Sequence, residues 1–351
     1  MSRESRKLDH IKNALASGAR GENGLDDIHF VHNSLPETNV KDISLNTSLA
    51  GMDLSAPLLI NAMTGGGGEQ TEAINGSLAE VAGQLQIPIA VGSQMAALKD
   101  PTQQESYKVV RRNNRRGKVF ANVGSEAGVS DALQCAEMIE ADALQVHLNT
   151  VQELIMPEGD RDFTGTLSRI EAIVRELNIP VIVKEVGFGM SREASALIQQ
   201  AGAKAVDTGG SGGTSFAVIE NERRERPLEF FEDWGIPTAV SIAEAESSLD
   251  IDIIGSGGIR TAYDTAKAIA LGACSCGTAG QVLNWLHTKG QRGTHESLEM
   301  MMKDITLIMT AVGAADIKSL QNAPVVILGE TKDWLEQRGI DTRIYAADRR
   351  G

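Results

Sequence analysis

Eight short apolar runs punctuate the chain, most of them bounded by Gly or Pro. They are PLLINAM from Pro57, IPIAVGS from Ile87, KVFANVG from Lys118, DALQVHLN from Asp142, PVIVKEV from Pro180, AKAVDTGG from Ala203, DIIGSGG from Asp252 and ACSCGTAG from Ala273. Each is too short for a helix and lacks strict alternation, the pattern of strands buried on both faces. The segments between them carry helical spacing and good helix formers, as in EQTEAINGSLAEVAGQL from Glu69 and TAYDTAKAIALGA from Thr261. Such alternation implies parallel strands joined by crossover helices. Eight units predict an α/β fold of the closed (β/α)8 or TIM-barrel type, since an open six-stranded sheet would leave two runs unexplained.

The pattern divides the chain into three parts. Residues 1–50 hold few periodic signals and read as an N-terminal arm over the active site or toward a neighbouring subunit. Residues 51–295 form the barrel. Residues 296–351 read as C-terminal helices closing it, beginning with a long Met-rich helix, SLEMMMKDITLIMTAVGAADIKSLQ, whose methionines suit packing.

Composition adds one departure from the ordinary. The 351 residues include 36 glycines, about a tenth, against roughly 7% in an average protein. They cluster where the strands end: TGGGG after the first run, GFG after the fifth, GGSGG after the sixth, SGG after the seventh and TAG at the eighth. In a (β/α)8 barrel that pole carries the active site. A formal charge of −14 argues against partnership with nucleic acid or an anionic membrane surface. Three cysteines (Cys135, Cys274, Cys276) make a disulfide framework improbable. MSRESRKLDHIKNAL lacks the apolar centre of a secretory signal, and no run approaches the ~20 apolar residues that span a bilayer. A cytoplasmic location is the expectation.

Four motifs carry chemistry. GSGGIR (Gly255 to Arg260) and GTAG (Gly277 to Gly280) sit where this fold builds its phosphate cup, with bare backbone N–H groups beside a helix N-terminus. Lys184 lies in an apolar strand and must face a ligand or pair with a carboxylate such as Glu185 or Asp207, because an unpaired buried ammonium is costly. In QVHLNTVQE, His147 and Asn149 share one strand face, Gln152 follows, and Glu153 is a lone carboxylate of the sort that shares magnesium with substrate phosphates. RKLDH places Arg6, Lys7 and His10 together as either a solvated charge run or a diphosphate clamp.

Taken in order, RKxDHI, NAMTGG, VGSQMAAL, ANVG, QVHLNxxQE, VKEVGFGM, DTGGSGGTSF, DWGIPTAVS, IIGSGGIR and TAG resemble the type 2 isopentenyl diphosphate isomerases from Arg6 to about Gly280. The resemblance implies a barrel that binds FMN and, with reduced flavin and Mg²⁺, interconverts isopentenyl and dimethylallyl diphosphate, with NADPH as reductant. It implies flavin contacts at Met63, Thr64 and Gly65, at Ser93 and Asn122 on the ring edge, and at Lys184 beside the pyrimidine part. Thr214, Gly257, Gly258, Arg260, Ala279 and Gly280 would hold the flavin phosphate. Arg6, Lys7, His10, Ser93, Gln94, His147, Asn149 and Gln152 would face the substrate, with Glu153 on the metal. Catalytic roles fall to Gln152, Lys184 and His147. A homotetramer or homo-octamer is implied.

The nearest rival is a flavin oxidoreductase of the 2-hydroxyacid oxidase type. Those enzymes resemble one another in a His-Gly-Gly-Arg stretch after strand six, and here that place reads Asp207-Thr208-Gly209-Gly210-Ser211. A purine-nucleotide dehydrogenase would need a loop cysteine, whereas Cys274 and Cys276 read as strand packing and Cys135 as a helix residue. A non-catalytic phosphate-binding barrel would leave Gln152, Glu153 and the N-terminal basic residues without a role.

Overall fold

The structure is a computed structural model that describes residues 22–66, 68–347 and 349. Its centre is a closed barrel of eight parallel strands: β1 (Leu58–Ile60), β2 (Ile89–Ala90), β3 (Val119–Gly124), β4 (Ala143–Leu148), β5 (Val181–Glu185), β6 (Ala205–Asp207), β7 (Asp252–Ser256) and β8 (Ser275–Thr278). Each pairs with the next, and β8 closes on β1 through Cys276↔Leu58 and Gly277↔Leu59. All eight predicted runs are therefore strands of one barrel. They read as continuous apolar runs because helices cover the outside and side chains fill the inside; every residue of β3 and β5 is buried.

The helices start on local signals. Ser191 accepts from the Ala194 N–H ahead of Arg192–Gln200, and Thr261 and Asp264 form a reciprocal capping box ahead of Ala262–Ala270. The second cap fixes the helix that follows GSGGIR, so its N-terminus points toward the cup.

Residues 22–50 differ from a single arm over the site. Asn23 is held at the active-site pole, where its Nδ2 donates to the Gly258 carbonyl at 2.9 Å. Ile28–Phe30 then pairs antiparallel with Val325–Ile327. Thr47–Leu49 and Met52–Leu54 form a hairpin whose Leu49, Met52 and Leu54 pack under Leu59, Phe120, Ile182 and Ile254. Thr47 Oγ1 donates to the Cys274 carbonyl at 3.0 Å, so the hairpin plugs the opposite pole, where the strands begin. Its turn is Ala50-Gly51 with φ of 52° and 80°, the pair of positive values a two-residue hairpin demands. An Ala-Gly turn between three-residue strands gives little signal in sequence.

At the other end, the helix begins at Gly280, directly after β8, kinks at Gly290 and stops at Gly313. A separate short helix, Ile317–Gln321, follows, so the Met-rich stretch is not one helix and position 296 falls inside the helical segment between Gly290 and Gly313. Leu298, Met301, Ile305, Met309 and Val312 form its buried stripe, while Met300 faces out.

Candidate active site

The C-terminal ends of the strands surround a cavity of about 580 Å³. That lies within the ordinary range for a small-molecule or cofactor site.

One wall is the glycine cup. Gly257 and Gly258 have φ of 108° and 71°, and a Cβ on either would stand 2.1 Å from the Gly210 carbonyl oxygen or 2.4 Å from that of Gly212. The loops after β6 and β7 thus touch backbone to backbone, and only glycine permits it. Thr238 Oγ1 donates to the Gly257 carbonyl at 2.6 Å, and an Arg260 guanidinium N–H donates to the Gly212 carbonyl. Thr214, Gly257, Gly258, Arg260, Ala279 and Gly280 all line this side. The helices from Ala262 and Gly280 aim N-termini at it, an arrangement suited to an anion.

The floor is β5. Lys184 is buried, lines the cavity, and its Nζ donates to the Glu185 carbonyl at 2.6 Å. Neither proposed carboxylate partner takes it in a salt bridge. The Glu185 carboxylate accepts instead from the N–H groups of Val186, Gly187 and Phe188 at 2.6–2.7 Å. Asp207 accepts from Asn61 Nδ2 at 2.6 Å and from the Ser256 hydroxyl. Burial pushes the Glu185 carboxyl up to about 7, against the pull of its three N–H donors and of Lys184.

The facing wall is β4 and the helix Thr150–Ile155. His147, Asn149, Gln152 and Glu153 all reach the cavity. Asn149 Nδ2 donates to Glu153 Oε1 at 2.8 Å, and the Asp160 N–H donates to Oε2 at 2.8 Å. Gln152 Nε2 donates to Glu220 Oε1 at 3.2 Å, and Glu220 is fully buried against Arg223. The Oε1 end of Gln152 is therefore the one not tied to Glu220. Glu126 adds a carboxyl that the sequence did not flag; burial raises it, and the charges of Glu153 and Asp160 act in the same direction.

Below these groups, side chains bond across the barrel. His147 Nδ1 lies 2.9 Å from Asn122 Oδ1, Asn122 Nδ2 donates to Gln145 Oε1 at 3.1 Å, and Gln145 Nε2 donates to Asn61 Oδ1 at 3.1 Å. Asn61 and Gln145 were not among the predicted site residues. A signal existed for Gln145, two positions before His147 on one strand face.

Three expected residues do not face the cavity. Gln94 is fully buried: its Nε2 donates to the Cys135 carbonyl at 3.0 Å and its Oε1 accepts from the Asn122 N–H at 3.0 Å, so it braces β3. Thr64 turns its hydroxyl to Asn75, and its carbonyl accepts from the Gly92 N–H at 2.7 Å. Gly65 packs on the Tyr107 ring. Of that trio Met63 alone lines the cavity, as Ser93 and Asn122 do. Arg6, Lys7 and His10 lie outside the described residues. Cys274 and Cys276 are buried packing residues whose thiols burial pushes up.

The glycine cup after β7 and β8 and the buried lysine on β5 stand where barrels of this fold class bind cofactors. The family model for FMN-dependent dehydrogenase matches residues 107–327. Among solved structures, the chain is similar to a putative lactate oxidase of Pediococcus acidilactici (TM-score 0.70, 15% identity, 93% of this chain and 94% of that one). It is also similar to a mandelate oxidase mutant with (S)-mandelic acid (TM-score 0.67, 17% identity, 91% and 94%). At these identities the likeness is one of fold. Isopentenyl-diphosphate delta-isomerases from Geobacillus sp. (strain WCH70) and Bacillus licheniformis are 54% and 52% identical over 347 residues, 99% of each chain. The chain belongs to the isopentenyl-diphosphate delta-isomerase family.

Proposed function

We propose that the protein moves the double bond of isopentenyl diphosphate by one position to give dimethylallyl diphosphate, and the reverse, for isoprenoid biosynthesis. The observation that carries this reading is the cavity's facing wall. His147, Asn149, Gln152 and Glu153 stand together there, while the place of an oxidase's His-Gly-Gly-Arg is taken by Asp207, buried on Asn61 and Ser256. That carboxylate is not available to take a hydride donor's proton. A redox-neutral reaction on a flavin scaffold fits the groups present.

The residues fit FMN. Gly257 and Gly258, flanked by Thr214 and Arg260, line the cavity beside the helix N-termini at Ala262 and Gly280, a setting suited to a phosphate. Reduced FMN, when bound, supplies an electron-rich ring that stabilises positive charge developing on the substrate and a ring nitrogen able to exchange a proton. Lys184 favours the anionic form of that ring by its charge. Gln152, held by Glu220, positions the reacting carbon or assists as a proton relay. His147 and Asn149 orient the diphosphate, and Arg6, Lys7 and His10 complete its clamp. Glu153 is the protein's ligand to Mg²⁺. Among the described residues no three His, Cys, Asp or Glu side chains converge as a metal site, so substrate phosphates and water supply the other ligands.

NADPH reduces the flavin in this reading, and the protein acts in the cytoplasm as a homotetramer or homo-octamer. Three buried free cysteines suit a reducing cytoplasm; no helix among the described residues is long and apolar enough to cross a membrane. The test is anaerobic incubation of the purified protein with FMN, NADPH, Mg²⁺ and isopentenyl diphosphate. Dimethylallyl diphosphate forms, and no product sinks the assignment.

A further inference from the structure

We propose that Asp207 is a positioning residue for His147, acting through three side-chain amides that fix the imidazole in its Nδ1–H tautomer. The argument is one of direction. A carboxylate only accepts hydrogen bonds. Asp207 is fully buried at the end of β6, so Asn61 must turn its NH₂ toward it, at 2.6 Å. The other end of Asn61 is pinned separately: Oδ1 accepts from the Ala62 backbone N–H at 2.8 Å, a group that can only donate. Gln145 must then present Nε2 to Asn61 and Oε1 to Asn122, both at 3.1 Å. Asn122 is left with Oδ1 toward His147, 2.9 Å from Nδ1. An amide oxygen accepts only, so Nδ1 carries the hydrogen, and in the neutral ring Nε2 holds the lone pair.

No member can flip alone. Turning any one amide would set oxygen against oxygen or NH₂ against NH₂ at about 3 Å, and turning all three is blocked by Asp207 at one end and the Ala62 N–H at the same residue. Asn61, Asn122 and Gln145 are 6%, 2% and 0% exposed, so little water reaches them to relieve a mismatch. In such a buried chain each bond polarises the next, and a wrong orientation is costly. The chain crosses the barrel from the end of β6 through Asn61, just after β1, to β4 and β3, then returns to His147 on β4. His147 meets the cavity beside Asn149 and Gln152. As the Nδ1–H tautomer it accepts through Nε2 when neutral and donates there only once protonated; the other tautomer would reverse that role. The catalytic consequence rests on the isomerase reading, whereas the tautomer does not.

The test is ¹⁵N NMR of the FMN holoenzyme labelled at histidine and recorded where imidazoles are neutral. The chain has six histidines, and the His147 signals are assigned by their loss in His147→Asn. Wild type shows a protonated Nδ1 and an unprotonated Nε2. Gln145→Met cuts the chain in the middle while leaving Asp207 on Asn61 and Ser256. It moves His147 toward the Nε2–H form and lowers kcat/KM about tenfold, the worth of one well-made hydrogen bond, with FMN retained. Asp207→Leu, which removes the acceptor that an Asn would still offer to Asn61, moves the signals in the same direction. A Gln145→Met holoenzyme with the wild-type His147 pattern overturns the proposal, including when its melting temperature falls. A wild-type Nε2–H signal overturns it equally. If the wild type makes no dimethylallyl product, the isomerase reading fails and the spectra still decide the tautomer.

Discussion

Replacing Gly258 by Ala tests the cup most directly. The residue sits at φ +71°, and a Cβ there would stand 2.4 Å from the Gly212 carbonyl oxygen and 2.7 Å from its carbon. An L-residue in left-handed conformation costs about 1–2 kcal/mol. Relieving the contact requires backbone movement, because neither neighbour is a side-chain tip; overpacking of this kind costs roughly 1–3 kcal/mol. Together these give about 2–5 kcal/mol, a factor of about 30 to several thousand. If the loops after β6 and β7 separate, the loss appears in FMN affinity, read by flavin fluorescence quenching. If they hold, it appears as a lower Tm of the flavin-free protein. Two further variants separate the terms. Gly213→Ala adds a Cβ 2.7 Å from the Gly258 nitrogen without a positive φ, so it carries crowding alone. Gly51→Ala has φ +80° with nothing within 4 Å, so it carries strain alone, at the far pole. It lowers Tm and leaves FMN affinity intact. Wild-type FMN affinity within about twofold, together with an unchanged Tm, for Gly258→Ala would refute the steric reasoning.

Three other outcomes follow from the site. Lys184→Ala loses at least about two orders of magnitude in kcat, on the scale of removing one preorganised charge-stabilising group, and near-normal turnover with FMN bound rejects its role. Glu185 has its carboxyl raised by burial from an ordinary 4.5 to about 7, so between those values the folded state keeps a proton the unfolded chain has released. Its stabilisation is complete below the lower value and fades as pH rises through the upper one, at up to about 1.4 kcal/mol per pH unit. Glu185→Gln removes that slope; an undiminished Tm difference between the two ends of this range contradicts it. Glu153→Gln weakens the Mg²⁺ dependence of turnover by about tenfold or more, measured by titrating Mg²⁺ into chelator-treated enzyme, and an unaltered titration curve excludes Glu153 as the ligand.

The barrel was legible because its signals are local and repeated. PVIVKEV is a strand wherever it occurs in an α/β chain, and eight such runs separated by helical spacing leave one closed arrangement. The glycines of GSGGIR and GTAG could be placed at one pole for the same reason, since strand polarity alone decides which end a following loop occupies. Lys184, His147, Asn149 and Gln152 were legible as polar residues in or just after apolar runs. Thr64 and Gln94 show the limit. Adjacent residues in a loop can face opposite ways, and what turned Gln94 from the cavity is the carbonyl of Cys135, 41 positions away. The bottom hairpin was missed because its strands have three residues each, too few for a periodicity to register.

Sequence alone determined the fold, the pole that carries the site and most of the residue types gathered there, since each depends on patterns a few residues long. Tertiary structure decided the partners. Asn61 meets Gln145 across 84 positions and Asp207 across 146, and Gln152 meets Glu220 across 68. Barrel closure brings inward side chains of distant strands within hydrogen-bond reach. Which end of each amide faces which neighbour then follows from Asp207, which can only accept, and the Ala62 N–H, which can only donate.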